Sequence, residues 1–208
     1  MTVLDRLAHA LHRRDGAPNV DLARDLAARR DTAAIREVVG GLAHKDKNIQ
    51  ADCIKVLYEV GAIEPALIAP YAAEFLALLS SRNNRLVWGG MTALAAIAPV
   101  SAPALFAQRR LIQRTIETGS VITQDNSILA LARVAAHSPR FRAELLPYLF
   151  NFLRNCRAKD VPRHAEAIAS AVNASHAAAF AAILEIHLAD MPASRAARVR
   201  RLLRSLPD

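Results

Sequence analysis

The chain has 208 residues, a formal net charge of +8 at pH 7 and 53% hydrophobic residues, which fits one domain or a short array of repeats with a buried core. It contains only seven glycines and no run of alternating β-branched residues bounded by turn residues, so the composition indicates helices and excludes a sizeable sheet. Cys53 and Cys156 lie far apart with no second ligand at zinc-site spacing, which predicts two free thiols in a reducing compartment.

The first part of the chain predicts short helices that match the later repeats poorly. Residues 2–13 form a predicted amphipathic helix, in which Thr2 is the cap and Asp5 stands three positions later. The apolar stripe of this helix consists of Leu4, Leu7, Ala8 and Leu11. The run Asp-Gly-Ala-Pro-Asn at 15–19 is a break. Two further helices are predicted near residues 20–29 and 32–43.

A repeat of 37 residues organises the middle of the chain. The hexapeptide Val-Leu-Tyr-Glu-Val-Gly at 56–61 is followed 37 residues later by Ala-Leu-Ala-Ala-Ile-Ala at 93–98, and the same frame recurs at 130–135 and more faintly at 167–172. A fixed period of this length is typical of stacked helical repeats. The frame predicts an apolar column of Leu57, Leu94, Leu131 and Ile168, a second of Val60, Ile97, Val134 and Ala171, and a mostly small column of Cys53, Gly90, Ser127 and His164.

The uncharged run at 86–108 is 23 residues long, which is enough for a membrane-spanning helix. Pro99 and Pro103 fall where the repeat places the turn between two helices, so we predict two half-helices of a hairpin instead. The N-terminus carries Asp5 and no continuous apolar region, which argues against a signal peptide. The sequence therefore predicts a soluble, cytoplasmic protein with no membrane partner.

The last predicted helix covers residues 192–206. Its apolar positions are Val199, Leu202, Leu203 and Leu206, and the arginines around them are Arg195, Arg198, Arg200, Arg201 and Arg204. A basic amphipathic helix can bind an anionic membrane or an acidic partner, but at the end of a repeat array it more often covers the last repeat with its apolar side.

The repeating columns resemble those of the HEAT/armadillo class of α-solenoids, over roughly residues 20–190. The resemblance implies an all-α, right-handed superhelix of about five HEAT-like helical hairpins with a C-terminal capping helix. The predicted organisation is a single repeat domain. Its parts are N-terminal helices with an irregular first repeat (1–46), repeats of about 37 residues (47–189) and a basic cap helix (190–208).

Positive charge is concentrated in the second half of the chain. Residues 1–104 have a net charge of +1 and residues 105–208 a net charge of +7. Six arginines fall on predicted second helices, which the resemblance places along a concave groove: Arg109, Arg110, Arg114, Arg142, Arg154 and Arg157. Arginine guanidiniums suit carboxylates and phosphates, although the same residues can form an ordinary solvated surface.

Trp88 is the only tryptophan and precedes Gly89 and Gly90. It can stack on a ligand or fill the core beside the two glycines. In the repeat frame it aligns with Ala51 and Asp125, outside the apolar columns, which favours partial exposure. We therefore include Trp88 in the predicted partner-binding set.

These patterns predict a non-catalytic binding or scaffold module that engages an acidic protein segment through a basic groove. No catalytic, cofactor-binding or metal-binding residue is predicted, and no small-molecule substrate is evident. Nucleic acid is the alternative ligand of the same groove. The chain also resembles the HEAT-like alkylpurine DNA glycosylases in size and basic character, and Trp88 with Asp125 is the one pair that this resemblance implies for an active site.

Overall fold

The computed structural model describes residues 2–207, and within that range the chain is helical and contains no strand. The α-helices are α1 (Ala17–Arg29), α2 (Thr32–Gly40), α3 (Lys47–Ile63), α4 (Ala72–Leu78), α5 (Asn84–Ala107), α6 (Arg109–Thr118), α7 (Val121–His137), α8 (Pro139–Asn155), α9 (Val161–Ala169), α10 (Ala174–Leu188) and α11 (Ala193–Leu203). Short 3-10 helices occupy Val3–Arg6, Gly41–Ala43, Pro65–Leu67 and Ala69–Tyr71. The chain divides into two compact units, one ending at Asn126 and the other beginning at Ser127.

The apolar columns predicted by the repeat are the core of the protein. The four members of the first column, Leu57, Leu94, Leu131 and Ile168, are all 0% exposed. The second column, Val60, Ile97, Val134 and Ala171, is at most 1% exposed. On α3, α5 and α7 a spacing of three residues places each pair on the same face, and that face is the buried one; Ala171 lies in the turn after α9.

In the first unit α3 is the central helix. It packs against α1, α2 and α5, and α5 also packs against α4. Gly90 of the small column makes the contact between α4 and α5 possible, because a Cβ atom on it would lie 3.0 Å from Cβ of Leu78 and 3.1 Å from the backbone oxygen of Phe75. The expectation that small residues allow neighbouring helices to approach closely is confirmed at this position.

We expect Gly90→Ala to destabilise the protein and Gly40→Ala to stabilise it. Crowding a helix contact costs about 1–3 kcal/mol, and the helix propensity of alanine offsets about 1 kcal/mol of that. At Gly40, the last residue of α2, an added Cβ meets nothing within 4 Å. Urea unfolding followed by circular dichroism would therefore show midpoints that move in opposite directions. A rise in both midpoints would contradict the close contact at Gly90.

The prediction of two half-helices divided near Pro99 and Pro103 is confirmed. The segment labelled α5 consists of two helices joined by a kink at Ser101, whose φ of −124° and ψ of 19° are not helical. Each proline lacks a backbone donor, which favours an interruption of the helix at this place. The chain then breaks at Gln108, where α6 begins.

α5 is also long and apolar enough to cross a membrane by length and composition. However, 56% of its most apolar 18-residue stretch is buried inside the protein, against α3 and α4 among other elements. A helix in a protein core is also long and apolar enough to meet this criterion, so packing in the core accounts for the hydrophobicity of α5.

The prediction of an amphipathic helix over residues 2–13 is wrong. A capping box does form, since Thr2 accepts a hydrogen bond from the Leu4 amide and Asp5 accepts one from the Thr2 amide. The helix it starts is only the 3-10 helix Val3–Arg6, and turns follow it. Leu7 and Ala8 are buried while Leu11 is 50% exposed, so the predicted stripe is only partly used.

The second unit has its own packing order. α9 packs against α8 and α11, and α10 packs against α8, α9 and α11. His164 is 3% exposed and makes an edge contact with the Phe152 ring at 5.1 Å between centroids. The last helix, α11, buries Ala196 and Val199, and Arg198 pairs with Glu166 at 2.6 Å.

Candidate binding surfaces

The three predicted arginines of the first unit lie on α6 and differ in their surroundings. Arg109 is partly buried, donates to the Phe106 carbonyl at 3.0 Å and lies 4.5 Å from the centroid of the Phe106 ring. Arg110 and Arg114 are exposed and have no side-chain hydrogen bond or ion pair within residues 2–207. They are four residues apart on one helix and therefore share a face. Only these two are available to a partner without breaking a contact.

The three predicted arginines of the second unit divide in a similar way. Arg142 donates from Nε to the Ala171 carbonyl at 2.8 Å, and Arg157 pairs with Asp160 at 2.7 Å. Arg154 is exposed near the end of α8, with no ion pair to any described residue. Arg142 therefore helps to hold α8 against the end of α9, while Arg154 is the one of these three that is available to a ligand.

The first unit contains a cavity of about 420 Å³ that the sequence did not predict. We call it the Trp88 cavity. It lies between the N-terminal segment (residues 8–16, with Asn19 at the start of α1), the first half of α3 and the start of α5. On α3 it is lined by Asn48, Ala51, Asp52 and Lys55, and on α5 by Arg85 and Trp88.

Helical spacing explains why these residues face one space. Asn48, Asp52 and Lys55 follow the i, i+4, i+7 rule on α3, and Arg85 and Trp88 are three residues apart on α5. Trp88, whose exposure the repeat frame left open, is half-buried. This spacing was visible in the sequence, but the opposing N-terminal wall was not.

A buried polar node holds that wall in place. Asn19 is 1% exposed, accepts a hydrogen bond from the Ala8 amide at 2.9 Å and donates to Asp52 at 2.8 Å. The other carboxylate oxygen of Asp52 accepts from the His9 amide at 2.7 Å. The node thus provides acceptors for two backbone amides of a segment that has no regular helix, in a buried bond at Ala8 and an exposed bond at His9.

Charged and aromatic groups meet on the α3–α5 side of the cavity. The rings of Tyr58 and Trp88 are 5.8 Å apart, Lys55 Nζ lies 5.1 Å from the Tyr58 centroid, and Lys55 pairs with Glu59 at 2.5 Å. Burial opposes the charge of Lys55, but its hydrogen bonds to Glu59 and Tyr58 outweigh burial and raise its pKa. Lys55 is therefore a fixed cation that is already partnered.

The cysteines and histidines form no comparable site. Burial raises the pKa of Cys53 to about 12 and that of Cys156 to about 11, so both thiols are protonated at neutral pH. No three His, Cys, Asp or Glu side chains of the described part of the chain are grouped so as to hold a metal ion. Asp125 is 7% exposed and is not part of the Trp88 cavity, so that cavity does not unite it with Trp88.

No protein-family model and no curated protein sequence matches the chain. Among solved structures, an engineered protein aligns with a TM-score of 0.68 at 18% identity, over 98% of this chain and 96% of its own. A designed armadillo repeat protein in complex with the peptide (KR)4 aligns with a TM-score of 0.69 at 14% identity, over 88% and 85% of the two chains. Kap121p bound to Ste12p aligns with a TM-score of 0.60 at 14% identity, over 89% of this chain and 21% of Kap121p.

At these identities the likeness shows the fold and not the ligand. Together with the helical content and the buried columns, it confirms the armadillo/HEAT-type, all-α helical-repeat fold predicted from the 37-residue period.

Proposed function

We propose that this helical-repeat protein is a non-catalytic binding module that engages an acidic segment of a protein partner through basic side chains. The observation that carries the proposal is the presence of exposed arginines without a partner among residues 2–207, namely Arg110 and Arg114 on α6 and Arg154 on α8. Helical repeats characteristically present extended surfaces to peptides and proteins. Two structural neighbours, the designed armadillo protein and Kap121p, were solved with a peptide and a protein bound.

The charge of the chain favours an acidic ligand. The designed neighbour was solved with the basic peptide (KR)4, but a chain with a net charge of +8 repels such a peptide. A guanidinium group can donate two parallel hydrogen bonds to one carboxylate. Unpaired arginines therefore attract aspartate and glutamate side chains by charge and also orient them through these bonds.

Fluorescence anisotropy with labelled (DE)4 and (KR)4 peptides tests the proposal. We expect saturable binding of (DE)4 that weakens as the ionic strength rises from about 0.01 to 0.15 M, where the Debye length falls from about 30 to about 8 Å. The double variant Arg110→Glu/Arg114→Glu should raise the dissociation constant for (DE)4 about tenfold.

The matched control is Arg36→Glu, since Arg36 is exposed on α2 and also has no ion-pair partner among the residues described. It makes the same kind of charge change outside both candidate surfaces. Absence of (DE)4 binding at low salt would refute the proposed function. Because Arg36→Glu reverses one charge and the double variant reverses two, a rise of the dissociation constant half as large on a logarithmic scale would show that only net charge matters.

Nucleic acid is the second candidate, favoured by the half-buried Trp88 beside the cations of the first unit, because aromatic stacking and phosphate contacts are how single strands are held. A mobility shift with random DNA and RNA at two salt concentrations tests it. With about three phosphate contacts, the binding constant should fall as about the second to third power of the salt concentration. No shift at low salt would eliminate this candidate.

A further inference from the structure

We propose that the Trp88 cavity is the anchoring site for the acidic segment, in which Arg14 and Arg85 bind an acidic side chain and Trp88 contacts an apolar or aromatic side chain next to it. The inference rests on the proposed function for the acidity of the partner. It adds the place where that partner is held and the requirement for an apolar residue beside the acid.

The cations of the cavity are the first step of the argument. Arg13 pairs with Asp15 at 2.8 Å and Lys55 pairs with Glu59, so neither needs a ligand. Arg14 and Arg85 line the same cavity, are exposed, and make no ion pair or side-chain hydrogen bond with any of residues 2–207. Two guanidiniums that are unpartnered in one concave space are a binding site for a carboxylate.

The carboxylates of the cavity offset these cations only in part, because Asp52 is a single negative charge facing the two guanidiniums of Arg14 and Arg85. Asp15 accepts from Arg13 and from the Ala17 amide, and these bonds hold its pKa below the usual value. Asp52 is occupied by Asn19 and by the His9 amide. Both acidic groups are thus engaged in holding the N-terminal segment, which leaves the guanidiniums of Arg14 and Arg85 for an incoming anion.

The aromatic wall and the volume of the cavity define the rest of the ligand. Trp88 is half-buried against Tyr58 and lines the cavity, so it offers apolar surface to a bound side chain. The volume of about 420 Å³ is at the lower end of the range of ligand sites, which suits one or two side chains of an extended segment and not a whole helix. An acidic residue next to an aromatic one fits both features.

Trp88 is the only tryptophan, so its emission reports on this cavity alone. The probes are two acidic octapeptides with the sequence Asp-Glu-Asp-Glu-Phe-Asp-Glu-Asp, one as written and one with Ala in place of Phe. We expect both to change the Trp88 emission saturably and the Phe peptide to bind about fivefold more tightly, in line with one added aromatic contact. The double variant R14Q/R85Q should raise both dissociation constants about tenfold or more.

R36Q is the control for net charge: it removes one charge where R14Q/R85Q removes two, so a pure charge effect would give half the change of the double variant on a logarithmic scale. Thermal melting checks that each variant is folded, which is expected because all three positions are exposed. The proposal is overturned if the peptides bind by anisotropy while the Trp88 emission stays constant and R14Q/R85Q binds like the parent protein. In that case the proposed function still stands, through another surface. A complete absence of peptide binding by anisotropy overturns both.

Discussion

Leu94→Ala is expected to lower the free energy of unfolding by about 2–5 kcal/mol, the range for truncating a buried leucine. Leu94 is 0% exposed and belongs to the column that the 37-residue period aligns. The helices α3 and α4 both pack against α5, and Gly89 and Gly90 already bring them into close contact with it, so closing the space left by the truncation would require movement of whole helices. Urea unfolding at two wavelengths would measure the loss.

The same substitution at Leu11 is the control. Leu11 is 50% exposed, so its truncation should change stability by less than about 1 kcal/mol. If the two variants lose equal stability, the column is not the core, and the repeat would not explain what holds the helices together.

The sequence predicted the core well because one physical requirement acts at every repeat. Each hairpin must bury a face against its neighbours, so the same positions are apolar at intervals of 37 residues, and all eight column positions are buried. Periodicity is informative where a contact recurs.

Features that occur once were not predictable in this way. The N-terminal segment depends on Asn19 and Asp52, which are 33 residues apart in sequence, and nothing local indicates that they meet. Local propensity favoured a helix there, but tertiary hydrogen bonds to the amides of Ala8 and His9 determine the actual conformation. By contrast, the two prolines are a local signal, and they correctly indicated the interruption at Ser101 that separates the two helices of α5.

The candidate binding residues also divide into those that the sequence could predict and those that only the fold determines. Helical spacing placed Arg110 and Arg114 on one face, and both are exposed. It could not show that Arg142 would bind the Ala171 carbonyl, 29 residues away, or that Arg109 would bind the Phe106 carbonyl. Charge counting identifies arginines, but only the fold distinguishes those that hold the protein together from those that are available to a ligand.

Asn19→Asp is expected to destabilise the protein by about 3 kcal/mol at pH 7, which is typical for uncompensated charge at a buried site. The introduced carboxylate can still accept from the Ala8 amide, but it cannot donate to Asp52 and repels it instead. The N-terminal wall of the Trp88 cavity should therefore detach before the rest of the first unit unfolds. Limited trypsin digestion would show faster cleavage after Arg13 and Arg14 than in the parent protein.

The pH dependence separates repulsion from a simple loss of packing. Two carboxylates that repel each other in a buried site have a folded-state pKa above the unfolded value of about 3.9, so the folded variant binds protons more readily than the unfolded one. The loss of unfolding free energy relative to the parent protein should be largest at neutral pH and shrink as the pH falls toward about 4, because protonation of one carboxyl restores a donor.

Asn48→Asp makes the same change at an exposed position that lines the same cavity, in the first turn of α3. A carboxylate near a helix N-terminus is neutral or slightly stabilising, by up to about 1 kcal/mol. We therefore expect the stabilities of the two variants to differ most at pH 7 and to become similar in mild acid. A deficit of Asn19→Asp that is independent of pH would mean that Asn19 acts only by filling space, and that Asp52 is not the residue that holds the N-terminal segment on α3.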